Sequence, residues 1–63
     1  MTQLDSIGKL RHDLANPLSA LLAETQLLLL NQHIDPETAT TLREIEGLAI
    51  RMRSILRDSG SSV

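Results

Sequence analysis

His33-Ile34-Asp35-Pro36-Glu37 interrupts a chain whose apolar residues keep a helical spacing on both sides of it. Asp35 is a good N-cap, Pro36 suits the first position of a helix, and Glu37 favours the positive end of the helix dipole. The stretch therefore ends one helix and begins another. Upstream, Leu4, Ile7, Leu14, Leu18, Leu21 and Leu28 fall at positions a and d of a heptad, with Arg11 and Thr25 as exceptions. Leu10, Leu22 and Leu29 widen the stripe at its flanks. This predicts helix 1 over about residues 3–32, roughly 45 Å long. Downstream, Leu42, Ile45, Ala49, Met52 and Leu56 occupy a and d, flanked by Leu48 and Ile55. Helix 2 is expected over about 36–58, joined by a loop at 33–35. Arg51, Arg53 and Arg57 sit in its last turns, where cations suit the dipole. The run Ser59-Gly60-Ser61-Ser62-Val63 reads as a flexible tail or linker.

A connection this short makes the two helices antiparallel neighbours, so residues 1–58 form one hairpin domain of an all-α fold. Each helix carries about three apolar positions per heptad, more than a single partner helix covers. Two hairpins packed together cover them, which predicts a homodimeric four-helix bundle. Composition agrees: 63 residues without Phe, Tyr, Trp or Cys must build an aliphatic core with no disulfide or thiolate-metal staple. Self-association is the ordinary remedy for so small a chain.

The formal net charge of −2 argues against nucleic acid as the main partner. Leu27 to Leu30 is too short an apolar run for direct membrane insertion. Met1-Thr2-Gln3-Leu4-Asp5 lacks the basic start and apolar stretch of a signal peptide. A cytoplasmic segment is expected, whether free or as the cytoplasmic part of a larger, membrane-bound protein.

The heptad places His12 at b, on the outer face. Asn16 lies one turn on and Ser19 at i+7, on the same side, while Gly8, one turn back, has no side chain to crowd it. Pro17 removes the hydrogen bond to the carbonyl of Asp13, at about 3 kcal/mol in an ordinary helix. A lone exposed histidine on a helix is ordinarily just solvated, and a proline can be a tolerated kink. It is the ordered string His12-Asp13-Leu14-Ala15-Asn16-Pro17-Leu18 on a long bundle helix that carries information.

That string resembles the phosphoacceptor motif of sensor histidine kinases of two-component systems, in their dimerisation and histidine-phosphotransfer domain: His, an acid, two variable positions, Thr or Asn, Pro, then an apolar residue. The likeness extends over nearly the whole chain, since Leu42, Ile45, Leu48, Met52, Ile55, Leu56 and Asp58 look like the family's second helix. Arg11 stands where a small residue is common, Ala15 where Arg is common, and Asp13 replaces the more frequent Glu.

The resemblance implies that His12 is the phosphoacceptor, attacking the γ-phosphate of ATP through a neutral ring nitrogen, as imidazole with its ordinary pKa of about 6.5 allows at neutral pH. It implies that Asp13 is the acid/base or orienting carboxylate and that Asn16 positions water or the phosphoryl group. Asp13 must reach round the helix by about 100° to do so, on a short stem. Pro17 and Gly8 are structural at the site. Phosphoryl transfer needs a nucleotide site with phosphate-cradling backbone and Mg²⁺ ligands. The chain has only three Gly and no glycine-rich loop, so no cofactor or metal is expected in it. ATP and Mg²⁺ are expected in a separate ATP-binding catalytic domain, following Val63 or supplied by another protein, and the hairpin should be inactive alone. The phosphoryl group would then pass to an aspartate in a response regulator receiver domain. The alternatives are a stand-alone histidine phosphotransfer protein, which never uses ATP, and a purely structural dimerisation hairpin.

Leu27 and Leu30, at c and f, read as a thicker bundle end near the loop or as a docking patch for a response regulator, with Ile50 as a further member. Arg43, Arg51, Arg53 and Arg57, interleaved with Glu44, Glu46 and Asp58, read as a solvated, salt-bridged face. His33 in the loop has no second ligand at metal spacing and is expected to be solvated.

Overall fold

The computed structural model describes residues 3–61, with side chains described over 6–59. It consists of two helices packed against each other as a hairpin, α1 over Gln3–Leu29 and α2 over Pro36–Ser61. The all-α hairpin expected from the break at Asp35 is the fold. Side-chain packing at Leu4 lies outside the described residues.

Two boundaries differ from expectation. α1 ends at Leu29 rather than at 32. The N–H groups of Leu30 and Asn31 donate to the carbonyls of Leu27 and Leu28, each three residues back, tightening the last turn out of α-helical register. Asn31 then accepts the N–H of His33 on its side-chain oxygen at 2.9 Å, a local turn that competes with further helix. At the other end α2 runs on to Ser61 instead of stopping at 58. No described glycine takes the positive φ that would cap it earlier, and the Ser59 hydroxyl bonds back to the Leu56 carbonyl. With four more residues of helix beyond it, Arg57 does not lie in the last turn, so its charge has little to do with the helix terminus. Ser62 and Val63, the rest of the expected tail, lie outside the described residues.

α2 starts as its sequence requires. Asp35 accepts the Thr38 N–H at 3.1 Å and the Thr38 hydroxyl at 2.6 Å, and its own carbonyl takes the first intrahelical bond, from Ala39. Ile34 before the cap and Ala39 after it are half-buried and buried, the two places of a hydrophobic staple.

The core is small. Leu18, Leu22 and Ala49 form it, with Leu56 packed against them. Ala49, only 1% exposed, is the small residue that lets the helices approach. Thr25, an exception to the heptad, is buried at 3% exposure, and its hydroxyl is satisfied by the Leu21 carbonyl at 2.7 Å.

The apolar stripe divides. Residues advance about 100° each, so e lies beside a, and g beside d, on opposite sides of the stripe. Position a (Leu18, Thr25, Ala49) and position e (Leu22, Ala39) are buried inside the hairpin. Position d (Ile7, Leu14, Leu21, Leu28, Met52) and position g (Leu10, Leu48, Ile55) are exposed, Leu21 at 48% for example, with the half-buried Ile45 at d as the exception. The molecule measures 50 × 16 × 12 Å, one helix thick. Its radius of gyration is 14.9 Å, against about 11 Å for a compact chain of this length.

Hydrogen bonds from the Thr38 hydroxyl and N–H hold the Asp35 carboxyl below its ordinary 3.8. A carboxyl lowered on folding stabilises the fold above its unfolded pKa and loses that contribution as pH falls through the folded value. The melting temperature should therefore drop below about pH 4. Asp35→Asn, which keeps a capping oxygen but cannot titrate, should show a shallower acid decline in a circular dichroism melt series. Identical acid slopes for the two chains would refute this assignment.

Candidate functional site

His12 is displayed on the outer surface of α1, exposed as its heptad position requires. Its surroundings come from both helices. A hollow of about 260 Å³ is lined by Arg11, His12, Ala15 and Ser19 of α1 and by Arg53 and Arg57 of α2, with Leu18 and Leu56 at its floor. The placement follows from helix geometry. Positions a, e and b lie in order round one side of a helix, and the lining residues of both helices occupy those positions.

The other expected site residues stand elsewhere. Asp13 and Asn16 are exposed, but neither lines the hollow. At f and c they lie further round α1 in one direction, away from the hollow, Asn16 about 40° and Asp13 about 100° beyond His12. Among the described residues no hydrogen bond joins His12 to either of them. Ser19, two turns on, does share the hollow with His12. Gly8 is half-buried, and a Cβ added there meets nothing within 4 Å. The turn before His12 is thus open, and glycine is not demanded by a neighbour.

Pro17 sits inside a continuous α1 but on the side away from the hollow. It lines an apolar groove of about 330 Å³ together with Leu14, Leu21, Met52 and Ile55. Leu18 and Leu56 also line this groove. They are the wall between the two concavities, polar on one side and apolar on the other.

Arg53 and Arg57 are the residues that sequence reading missed at the site. Interleaving with acids suggested a solvated face, yet folding the chain back at Asp35 brings their turn of α2 level with His12. Their spacing of four was the signal: it puts both on one face of α2.

Leu27 and Leu30 are 61% and 75% exposed, and Ile50 is 41% exposed. Leu29 alone of that run is half-buried. His33 is exposed in the loop, and among the described residues no three His, Cys, Asp or Glu side chains gather as a metal site. Among them too, no helix is long and apolar enough to cross a membrane. Chemically, the hollow offers one imidazole nucleophile, one hydroxyl and three guanidinium groups, with no carboxylate in its lining. Such a set suits an anionic group that reacts with, or rests on, the imidazole.

No protein-family model, curated protein or solved structure matches this chain.

Pro17 lacks the N–H that would bond the Asp13 carbonyl, so its removal should relieve helix strain. Pro17→Ala should raise stability by about 1–3 kcal/mol in urea melts at fixed chain concentration. A loss of stability would show that the ring's apolar packing outweighs the missing hydrogen bond.

Proposed function

We propose that this chain is the dimerisation and phosphoacceptor hairpin of a two-component sensor histidine kinase, phosphorylated on His12. The observation that carries the reading is the seven-residue string His12–Leu18 on a two-helix hairpin, with His12, Asp13 and Asn16 exposed and an acid-free, arginine-lined hollow at the histidine. In the reaction His12 attacks the γ-phosphorus of ATP held by a separate domain. The new P–N bond replaces the P–O bond to ADP, which departs. Positive charge develops on the ring, and Asp13 is the nearest carboxylate in sequence to stabilise it. The phosphoryl group then passes to an aspartate of a receiver domain. Asn16, exposed one turn from His12, is available to position water when phosphate is removed from that partner. The hairpin works in the cytoplasm, where ATP and the regulator are found.

Dimerisation is supported by surface. The chain exposes 5104 Å², where a compact monomer of 6.9 kDa exposes about 4,000 Å². The excess of about 1,100 Å² exceeds the roughly 800 Å² each partner buries in a standard interface. The d and g residues supply an aliphatic surface, and a partner seated there leaves His12 uncovered on the other side of Leu18 and Leu56.

Incubation with the ATP-binding domain of a related kinase and radiolabelled ATP should give an acid-labile label on this chain, absent from His12→Gln. Acid-labile label persisting in that variant would sink the assignment of His12. Light scattering at micromolar concentration should give about twice the 6.9 kDa chain mass, and Leu21→Glu should lower it towards one. A wild-type monomer under those conditions would contradict the dimer.

A further inference from the structure

Three of the chain's five arginines (Arg11, Arg53 and Arg57) line the single hollow that holds His12. The whole chain carries a net charge of −2, so this is a local reversal of sign rather than a reflection of composition. Arg53 and Arg57 stand one turn apart on the same face of α2, where like charges repel. They do so around space rather than around a carboxylate, since no acid lines the hollow. An anion placed between them removes that repulsion and gains hydrogen bonds from forked guanidinium donors, which match tetrahedral oxyanions in geometry.

Shape agrees with charge. The hollow, about 260 Å³, has room for a phosphoryl group with part of its hydration. Ala15 leaves the space over α1 open, and the guanidinium groups reach it from α2. Ser19 adds a hydroxyl donor at the same rim.

We propose that Arg53 and Arg57, assisted by Arg11, form an oxyanion cradle that holds the phosphoryl group carried by His12. The covalent half of this statement rests on the phosphoacceptor reading above; the cradle itself is a site for a phosphate-type oxyanion and stands on the lining alone. The arginines are positioning residues. They fix the phosphoryl group on the hairpin, lower its second proton affinity, and tie phosphorylation of α1 to the packing of α2.

The test needs no kinase. Phosphoramidate phosphorylates histidine directly: the ring nitrogen forms the P–N bond, the P–N bond of the reagent breaks, and ammonia leaves with the proton. The wild type, Arg53→Gln/Arg57→Gln and Arg53→Lys/Arg57→Lys are treated alike, each carrying His33→Gln so that His12 is the sole histidine. The phosphoryl resonance of each is followed by phosphorus NMR against pH. The cradle predicts a phosphoryl pKa lower in the wild type than in the Gln pair by on the order of one unit, with the Lys pair between them. On the unmodified chain, inorganic phosphate should shift the His12 ring signals saturably, and the Gln pair should abolish this. Circular dichroism checks that each variant remains helical; all substituted side chains are exposed.

Equal phosphoryl pKa values in the wild type and the Gln pair overturn the cradle. So does a phosphate response that survives in the Gln pair. Slower transfer to a receiver domain with an unchanged phosphoryl pKa also overturns it, and makes the arginines docking residues instead. A chain that shows the arginine-dependent shift but takes no label from ATP and a kinase domain keeps the cradle and loses the kinase reading. A chain labelled by ATP with no arginine dependence does the reverse.

Discussion

The contact between Leu18 and Leu22 of α1 and Ala49 of α2, with Leu56 packed on it, carries the rest of this molecule. A two-helix layer has only one seam, and all interior packing must occur there. Ala49 allows the close approach, and the leucines fill the space that approach leaves. A larger side chain at Ala49 would push the helices apart and overpack a site with no slack, typically at a cost of about 1–3 kcal/mol. It would also widen the separation between His12 and the arginines of α2. The seam therefore sets both stability and the geometry of the polar hollow at His12. With so little else buried, the isolated hairpin has a narrow margin.

Much of this was readable from residue order alone, and the part that was not has a physical reason. Asp35-Pro36 announced the start of α2 because capping chemistry is local: the acceptor, its donors and the fixed φ of proline all lie within four residues. The outward placement of His12 followed from the heptad for the same reason. The end of α1 was less legible, because Asn31 decides it through a side-chain bond that competes with helix on nearly equal terms. Thr25 and Arg11 looked like defects in the stripe. Each is an a-position residue that faces α2, one buried with its hydroxyl bonded to its own helix and one half-buried at the rim of the hollow. A heptad read as one stripe could not say that a and e would be used within the hairpin while d and g were left outside. That division depends on how the helices are rolled about their axes, and only tertiary packing settles it.

Arg53 and Arg57 show the same limit for function. On α2 alone they belong to an alternating charged face, which solvation explains well enough. Their meaning changes when α2 is set against α1, because His12 and Ala15 then become their neighbours across the seam. Asp13 and Asn16 illustrate the converse. Adjacency to His12 along the chain places them round the helix from it, outside the hollow that the fold builds. Sequence proximity and spatial proximity select different companions for the same histidine, and the spatial set is cationic.

The two concavities are separated by Leu18 and Leu56, which line both, and this arrangement solves a conflict. Under the proposed function, histidine phosphorylation would need an open, polar, positively charged surface, whereas a bundle interface would need a dry and aliphatic one. Placing both on one face would force guanidinium groups against leucines at any interface, where unpaired charge is costly to desolvate. On opposite sides of a single leucine pair they are a few ångströms of apolar packing apart yet chemically isolated. The same pair couples them: a partner pressing on Leu21, Met52 and Ile55 bears on Leu18 and Leu56, and these form the floor of the hollow. Any roll of α2 about its axis that improved packing in the groove would carry Arg53 and Arg57 with it, since all are fixed to one helix. Pro17 lies next to both surfaces. It lines the groove, and it removes the backbone bond to Asp13 in the turn that follows His12. The turn of α1 that lacks this bond thus lies between the apolar face and the histidine, where, under the proposed function, a change of helix packing would be converted into a change in how the imidazole is presented.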